Sequence, residues 1–79
     1  MKDAEPGDLV YIAKVPEWVR ASRARDLRLV SLRANAVVRR IHESHRRGRD
    51  LATIDVIGKG GNVVGQARVP MHWLEKRAP

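Results

Sequence analysis

The chain has 79 residues, 43% hydrophobic and 32% charged, with 16 Lys and Arg against nine Asp and Glu and a formal net charge of +7. This composition predicts one small globular domain, and the absence of cysteine excludes disulfides and thiolate chemistry. No apolar run approaches the ~20 residues of a membrane span, and the polar start of the chain is unlike a signal peptide, so we expect a cytoplasmic protein.

The first predicted strand lies near the amino terminus. Pro6 and Gly7 form a turn signal. The next residues, 9–15, are rich in strand-forming side chains, and Pro16 ends the run. The chain is therefore expected to open with a β-strand.

Two structures compete for the middle of the chain, because residues 17–47 contain neither glycine nor proline. Several apolar positions share one arc of a helical wheel, and Gly48 stands where a helix would end, which favours a helix near 27–47. Residues 36–43 can instead form a strand, preceded by a long insertion over 16–35 for which the sequence allows a helix. The pattern alone leaves both interpretations open.

A β-hairpin is predicted after the basic segment. Residues 51–57 and 63–69 are both typical of strands, and the glycine-rich run 58–62 between them is typical of a turn. Asp55 alternates with apolar neighbours, so we expect its side chain to point to solvent.

The last predicted element is a short helical turn at 70–75, which would place Trp73 or Leu74 under the sheet. We treat the whole chain as one domain and expect residues 1–6 and 76–79 to fray.

Both ends of the chain resemble those of a small Src-homology-3-like barrel, the fold of KOW and Tudor modules. Gly7-Asp8-Leu9-Val10 is similar to the Gly-Asp-x-Val first strand of these barrels. Residues 69–75 are similar to their close, where strand four passes through one helical turn into a short fifth strand. The resemblance implies a mainly β fold with a long insertion after strand one. The alternative is an α+β fold of β-α-β-β order with a helix near 27–47.

The excess positive charge is concentrated in residues 17–50, which contain ten arginines, four acids and no lysine. Arginine grips phosphate in two places and stacks on bases, and a clustered basic segment favours a polyanionic partner. We therefore predict a non-catalytic module that binds DNA or RNA, with Trp18 as a stacking platform. The predicted nucleic-acid-binding residues are Arg23, Arg25, Arg39, Arg40, Arg46, Arg47, Arg49, Lys59 and Trp18.

No metal site, cofactor or catalytic centre is expected. His42 and His45 are three residues apart, whereas the helical zinc signature requires two histidines four apart. Ser22, Ser31 and Ser44 lack the flanking pattern of a nucleophile. We therefore predict that the protein is not an enzyme.

Other functions remain open at this level. Arginine is also favoured in protein interfaces, so a protein-interaction module or small regulator docking on an acidic partner protein is the main alternative. The amphipathic pattern near 27–45 also permits a membrane-surface helix, but a small domain needs that stripe for its core, so no membrane partner is expected. A thin core would also gain from homodimer formation.

Overall fold

Five antiparallel strands form one sheet in the order β4–β3–β2–β1–β5. The computed structural model describes residues 4–21, 30–43 and 50–77. The elements are β1 (Leu9–Ile12), helix α1 (Glu17–Ala21), β2 (Asn35–His42), β3 (Leu51–Ile57), β4 (Val63–Pro70), a 3-10 turn (Met71–Trp73) and β5 (Leu74–Lys76). The prediction of a mainly β protein is therefore confirmed.

The predicted hairpin and the closing turn are both present. Strands β3 and β4 pair antiparallel from Leu51↔Pro70 to Ile57↔Val63. The 3-10 turn then buries Trp73, which is 3% exposed, and leads into β5.

The core lies on one face of the sheet and combines large with small side chains. Alanines pair across the strands with larger residues, as in Ala36↔Val56 and Ile54↔Ala67. Such alternation of large and small side chains lets facing side chains interlock. The buried hydrophobic residues are Ala4, Val10, Ile12, Val19, Val30, Ala36, Val38, Ala52, Ile54, Val56, Ala67, Val69 and Trp73.

The alternative of a continuous helix near 27–47 is wrong, because residues 35–42 form strand β2. The strand is irregular: its register shifts between Val38 and Arg40. Buried Ala36 and Val38 are therefore followed by Ile41, which also packs against the core. These core positions are spaced by two residues and then by three, which resembles the spacing of apolar residues along a helix. The apolar pattern of the sequence therefore fitted both a strand and a helix.

The first strand is shorter than predicted and ends at Ile12, because the next backbone amides bond elsewhere. The amides of Ala13 and Lys14 donate to the Trp73 carbonyl, at 2.7 and 3.3 Å. Helix α1 follows, and its Val19 is buried. The rest of the predicted insertion up to residue 29 lies outside the described residues.

Both predicted tails contain residues with contacts to the sheet. Ala4, in the first tail, is 8% exposed. Directly after that tail, Gly7, whose φ of +93° favours glycine, donates its amide to the Val38 carbonyl. Lys76 pairs with Val10 in the sheet. Within the described ranges, no helix is long and apolar enough to cross a membrane.

Trimming the core at the middle of β3 should destabilise the protein measurably. Ile54 is fully buried, so Ile54→Val should lower the free energy of unfolding by about 0.5–1.5 kcal/mol in urea titrations. The same change at Ile57, which is only half-buried at the end of the strand, should cost less. Equal losses at both positions would contradict this packing.

Candidate nucleic-acid interface

A β-bulge places two consecutive arginines on the outer face of the sheet, away from the core. Val38 pairs with Ile54 and Arg40 with Thr53, so Arg39 is the extra residue in β2. Regular alternation would turn Arg40 towards the core. With the bulge, Arg39 and Arg40 are both exposed.

A third arginine joins them from the neighbouring strand. Thr53 of β3 pairs with Arg40 on one side and with Arg68 of β4 on the other. Adjacent strands lie about 4.8 Å apart, so the backbones of Arg40 and Arg68 are separated by roughly 10 Å. Arg39, Arg40 and Arg68 together form an arginine patch.

A buried carboxylate holds the Arg39 end of the patch. Asp55 is 4% exposed; it accepts hydrogen bonds from Nε of Arg39 and, at 2.8 Å, from Nε2 of Gln66. The Arg39 hydrogen bond, followed by that from Gln66, lowers the pKa of Asp55 despite its burial. The expectation that Asp55 points to solvent is wrong, because Arg39 and Gln66 contact it on the outer face.

A histidine with a lowered pKa lies beside Arg40 and Arg68. Nε2 of His42 lies 2.8 Å from Oγ1 of Thr53. Burial, and then the positive charges of Arg68 and Arg40, lower the pKa of His42 from 6.5. The imidazole is therefore neutral at pH 7 and adds a hydrogen-bonding group rather than a charge.

Arg40 and Arg68 have no carboxylate partner among the described residues. The ion pairs within residues 4–21, 30–43 and 50–77 are Arg39–Asp55 and Lys76–Asp8. Lysine 76 lies on β5, two strands from β2. Two guanidinium groups on the outer face are therefore available for an external anion.

The structure brings together only some of the residues predicted from the sequence. Arg39 and Arg40 lie in the patch, whereas Lys59 lies at the β3–β4 turn, beyond the far end of β3. The predicted contacts Arg23, Arg25, Arg46, Arg47 and Arg49 lie outside the described residues.

Arg68 was missed by the sequence analysis, because it is isolated in a strand outside the basic segment. The available signal was its alternation in β4 with buried Ala67 and Val69, which places Arg68 on the outer face. That Arg68 lies next to Arg40 follows only from the strand register.

Trp18 is an exposed aromatic residue that packs against a buried one. Its residue surface is 60% exposed, and its ring centroid lies 6.0 Å from that of buried Trp73, with the ring planes inclined at 59°. Trp73 ends the 3-10 turn that follows β4. At the start of this turn, the Met71 amide donates a hydrogen bond to the Asp50 carbonyl. The prediction that Trp73 belongs to the core is confirmed.

The side chain of Tyr11, in contrast, already has partners within the fold. The guanidinium carbon of Arg77 lies 4.6 Å from the centre of the Tyr11 ring, and the phenol donates a hydrogen bond to Glu75. That hydrogen bond is the main cause of the raised pKa of Tyr11. Arg77 also donates from Nε to Oδ1 of Asn35 at 2.9 Å, so this cluster ties β5 to β1 and β2.

The described part of the chain contains no group of three or more His, Asp or Glu residues placed to hold a metal ion. Comparison with protein-family models, curated proteins and solved structures finds no match. Function must therefore be inferred from the chemistry of the chain itself.

The Arg39–Asp55 contact should give the fold a specific dependence on acid. The folded-state pKa of Asp55 lies below 3.8, so its ionised form stabilises the fold above pH 3.8, and this contribution is lost as pH falls through the folded-state pKa. Asp55→Asn should lower the free energy of unfolding at pH 7, and the difference from wild type should shrink below pH 3.8. A difference that does not change with pH would contradict the contact.

Proposed function

We propose that the protein is a non-catalytic module that binds the phosphate backbone of nucleic acid with the outer face of its sheet. The observation that carries this proposal is the arginine patch. Arg40 and Arg68 flank Thr53, are exposed and have no carboxylate partner among the described residues. Guanidinium groups bind phosphate through paired N–H donors.

We further propose that the sheet belongs to a Src-homology-3-like barrel. Strands β1 to β4 follow one another as sheet neighbours, and β5 returns to pair with β1 after a 3-10 turn. Both features support the barrel suggested by the resemblance. The fold leaves the choice of ligand to the residues on its surface.

The binding energy would come mainly from the release of counterions when the arginines neutralise phosphates. The net charge of +7 would steer a polyanion towards the protein before contact. The predicted contacts Arg46, Arg47 and Arg49 lie between His42, the last residue of β2, and β3, so they would extend the patch along the chain. Arg23 and Arg25 precede β2 and would add to the same charge.

Trp18 supports a preference for single strands. Its exposed ring rests on Trp73, and unpaired bases stack on such rings regardless of sequence. A duplex keeps its bases stacked on one another and would engage the arginines alone.

The salt dependence of binding tests the role of the patch. For duplex DNA, the double variant Arg40→Gln/Arg68→Gln should reduce the slope of log K against log salt concentration by about 2, because two phosphate contacts are lost. Fluorescence anisotropy with a labelled duplex, from low salt to about 150 mM, measures both slopes.

The matched control is Lys14→Gln/Arg33→Gln, which removes two charges that have no ion-pair partner among the described residues from exposed positions outside the patch. It should leave the slope close to that of wild type. Equal slopes for the two double variants would mean that binding depends on the overall positive charge and not on the arginine patch. Binding that disappears by 150 mM salt would instead favour the alternative, docking on an acidic partner protein.

Removing the exposed ring should separate single strands from duplexes. Trp18→Ala should weaken binding of a single-stranded oligonucleotide by about 1–3 kcal/mol and leave duplex affinity unchanged. Trp18→Phe, which keeps an aromatic face, should retain part of the affinity. Equal losses for both ligands would contradict base stacking.

A further inference from the structure

A groove with apolar and basic walls lies beyond the opposite end of β3 from the arginine patch. Its volume is about 480 Å³, and Leu32, Ile57 and Val64 form its apolar lining. Arg33 and Lys59 also line it. Val56 also lines the groove and is three residues from Thr53 on β3, so the groove begins roughly 10 Å from the centre of the patch.

Two residues of the apolar lining are open to solvent. Leu32 is 49% exposed and Val64 is 54% exposed. A Cβ atom at residue 58 would lie 2.7 Å from Cγ1 of Val64, so glycine at this position makes room for that side chain. Large aliphatic side chains exposed together in one concave surface are typical of a docking site.

Arg33 adopts a backbone conformation that arginine rarely adopts. Its φ is +68°, in the left-handed region where glycine is favoured, and its amide donates to the carbonyl of Ile12 at 2.7 Å. Backbone conformations of this kind cluster at ligand-binding sites, so the Arg33 side chain is a candidate ligand contact.

We propose that this groove binds an extended peptide segment of a partner protein in which carboxylates alternate with aliphatic side chains. The aliphatic side chains would cover Leu32 and Val64, while the carboxylates would pair with Arg33 and Lys59. No carboxylate in the described ranges forms an ion pair with either cation.

Charge and chemistry argue against other occupants of the groove. A second copy of this chain would bring a further net charge of +7 to a basic site. A nucleic-acid backbone would supply anions but no aliphatic side chains for Leu32 and Val64. An acidic and apolar peptide satisfies both parts of the lining.

The separation of the two surfaces would make the protein an adaptor. Nucleic acid on the arginine patch and a peptide in the groove would occupy different parts of the sheet. The two ligands should therefore bind at the same time.

The test uses a fluorescein-labelled heptapeptide of alternating Glu and Leu, with a Glu and Ser heptapeptide as the apolar control. At about 150 mM salt, anisotropy should show saturable binding of the first peptide and weaker binding of the second. Leu32→Ser should weaken binding about fivefold or more. Leu9→Ser removes a leucine of the same exposure, 48%, from outside the groove and should change nothing.

A second variant separates loss of binding from loss of folding. Arg33→Gly removes the charge and relieves the left-handed conformation, so its melting temperature should be equal to or above that of wild type while peptide binding falls about threefold or more. The proposal is overturned by three results: no binding of the Glu and Leu peptide, equal effects of Leu32→Ser and Leu9→Ser, or displacement of the peptide by an oligonucleotide.

Discussion

One extra residue in β2 determines where the positive charge of the sheet is displayed. Because Arg39 is inserted between the pairs Val38↔Ile54 and Arg40↔Thr53, two consecutive arginines share the outer face. Without this bulge, strand alternation would direct Arg40 into a core of alanine, valine and isoleucine, where an unpaired charge is very unfavourable. The hydrogen bond from Arg39 to buried Asp55 fixes the bulge to β3. The arginine patch therefore depends on a local irregularity of the backbone.

The two faces of the sheet have different roles: the inner face forms the core and the outer face carries the arginine patch. Small and large side chains pair on the inner face and give the core its interlocking layers, whereas the outer face carries the arginine patch around Thr53. At the β5 edge, Arg77 is held by the Tyr11 ring and by Asn35, so that cation contributes to strand association. The exposed arginines of the outer face are thus available to a ligand, whereas Arg77 is used within the fold.

Local patterns predicted most of the strands, but not the contacts across them. The hairpin, the 3-10 turn and buried Trp73 follow from turn residues and from runs of strand-forming side chains. Strand β2 was ambiguous because its bulge turns a spacing of two into a spacing of three. Asp55 was misplaced and Arg68 was missed for a shared reason: each depends on a partner in a neighbouring strand, and register is a tertiary property.

The most direct test maps the nucleic-acid contact by nuclear magnetic resonance. A ¹⁵N-labelled sample would be titrated with a single-stranded oligonucleotide while backbone amides, arginine Nε–Hε groups and the Trp18 indole are followed. Chemical-shift changes should concentrate at Arg40, Thr53, Arg68 and Trp18, whereas the signals of Leu32 and Val64 should stay unchanged. Shifts confined to the groove, or spread evenly over every exposed cation, would contradict the claim that the arginine patch is the nucleic-acid interface.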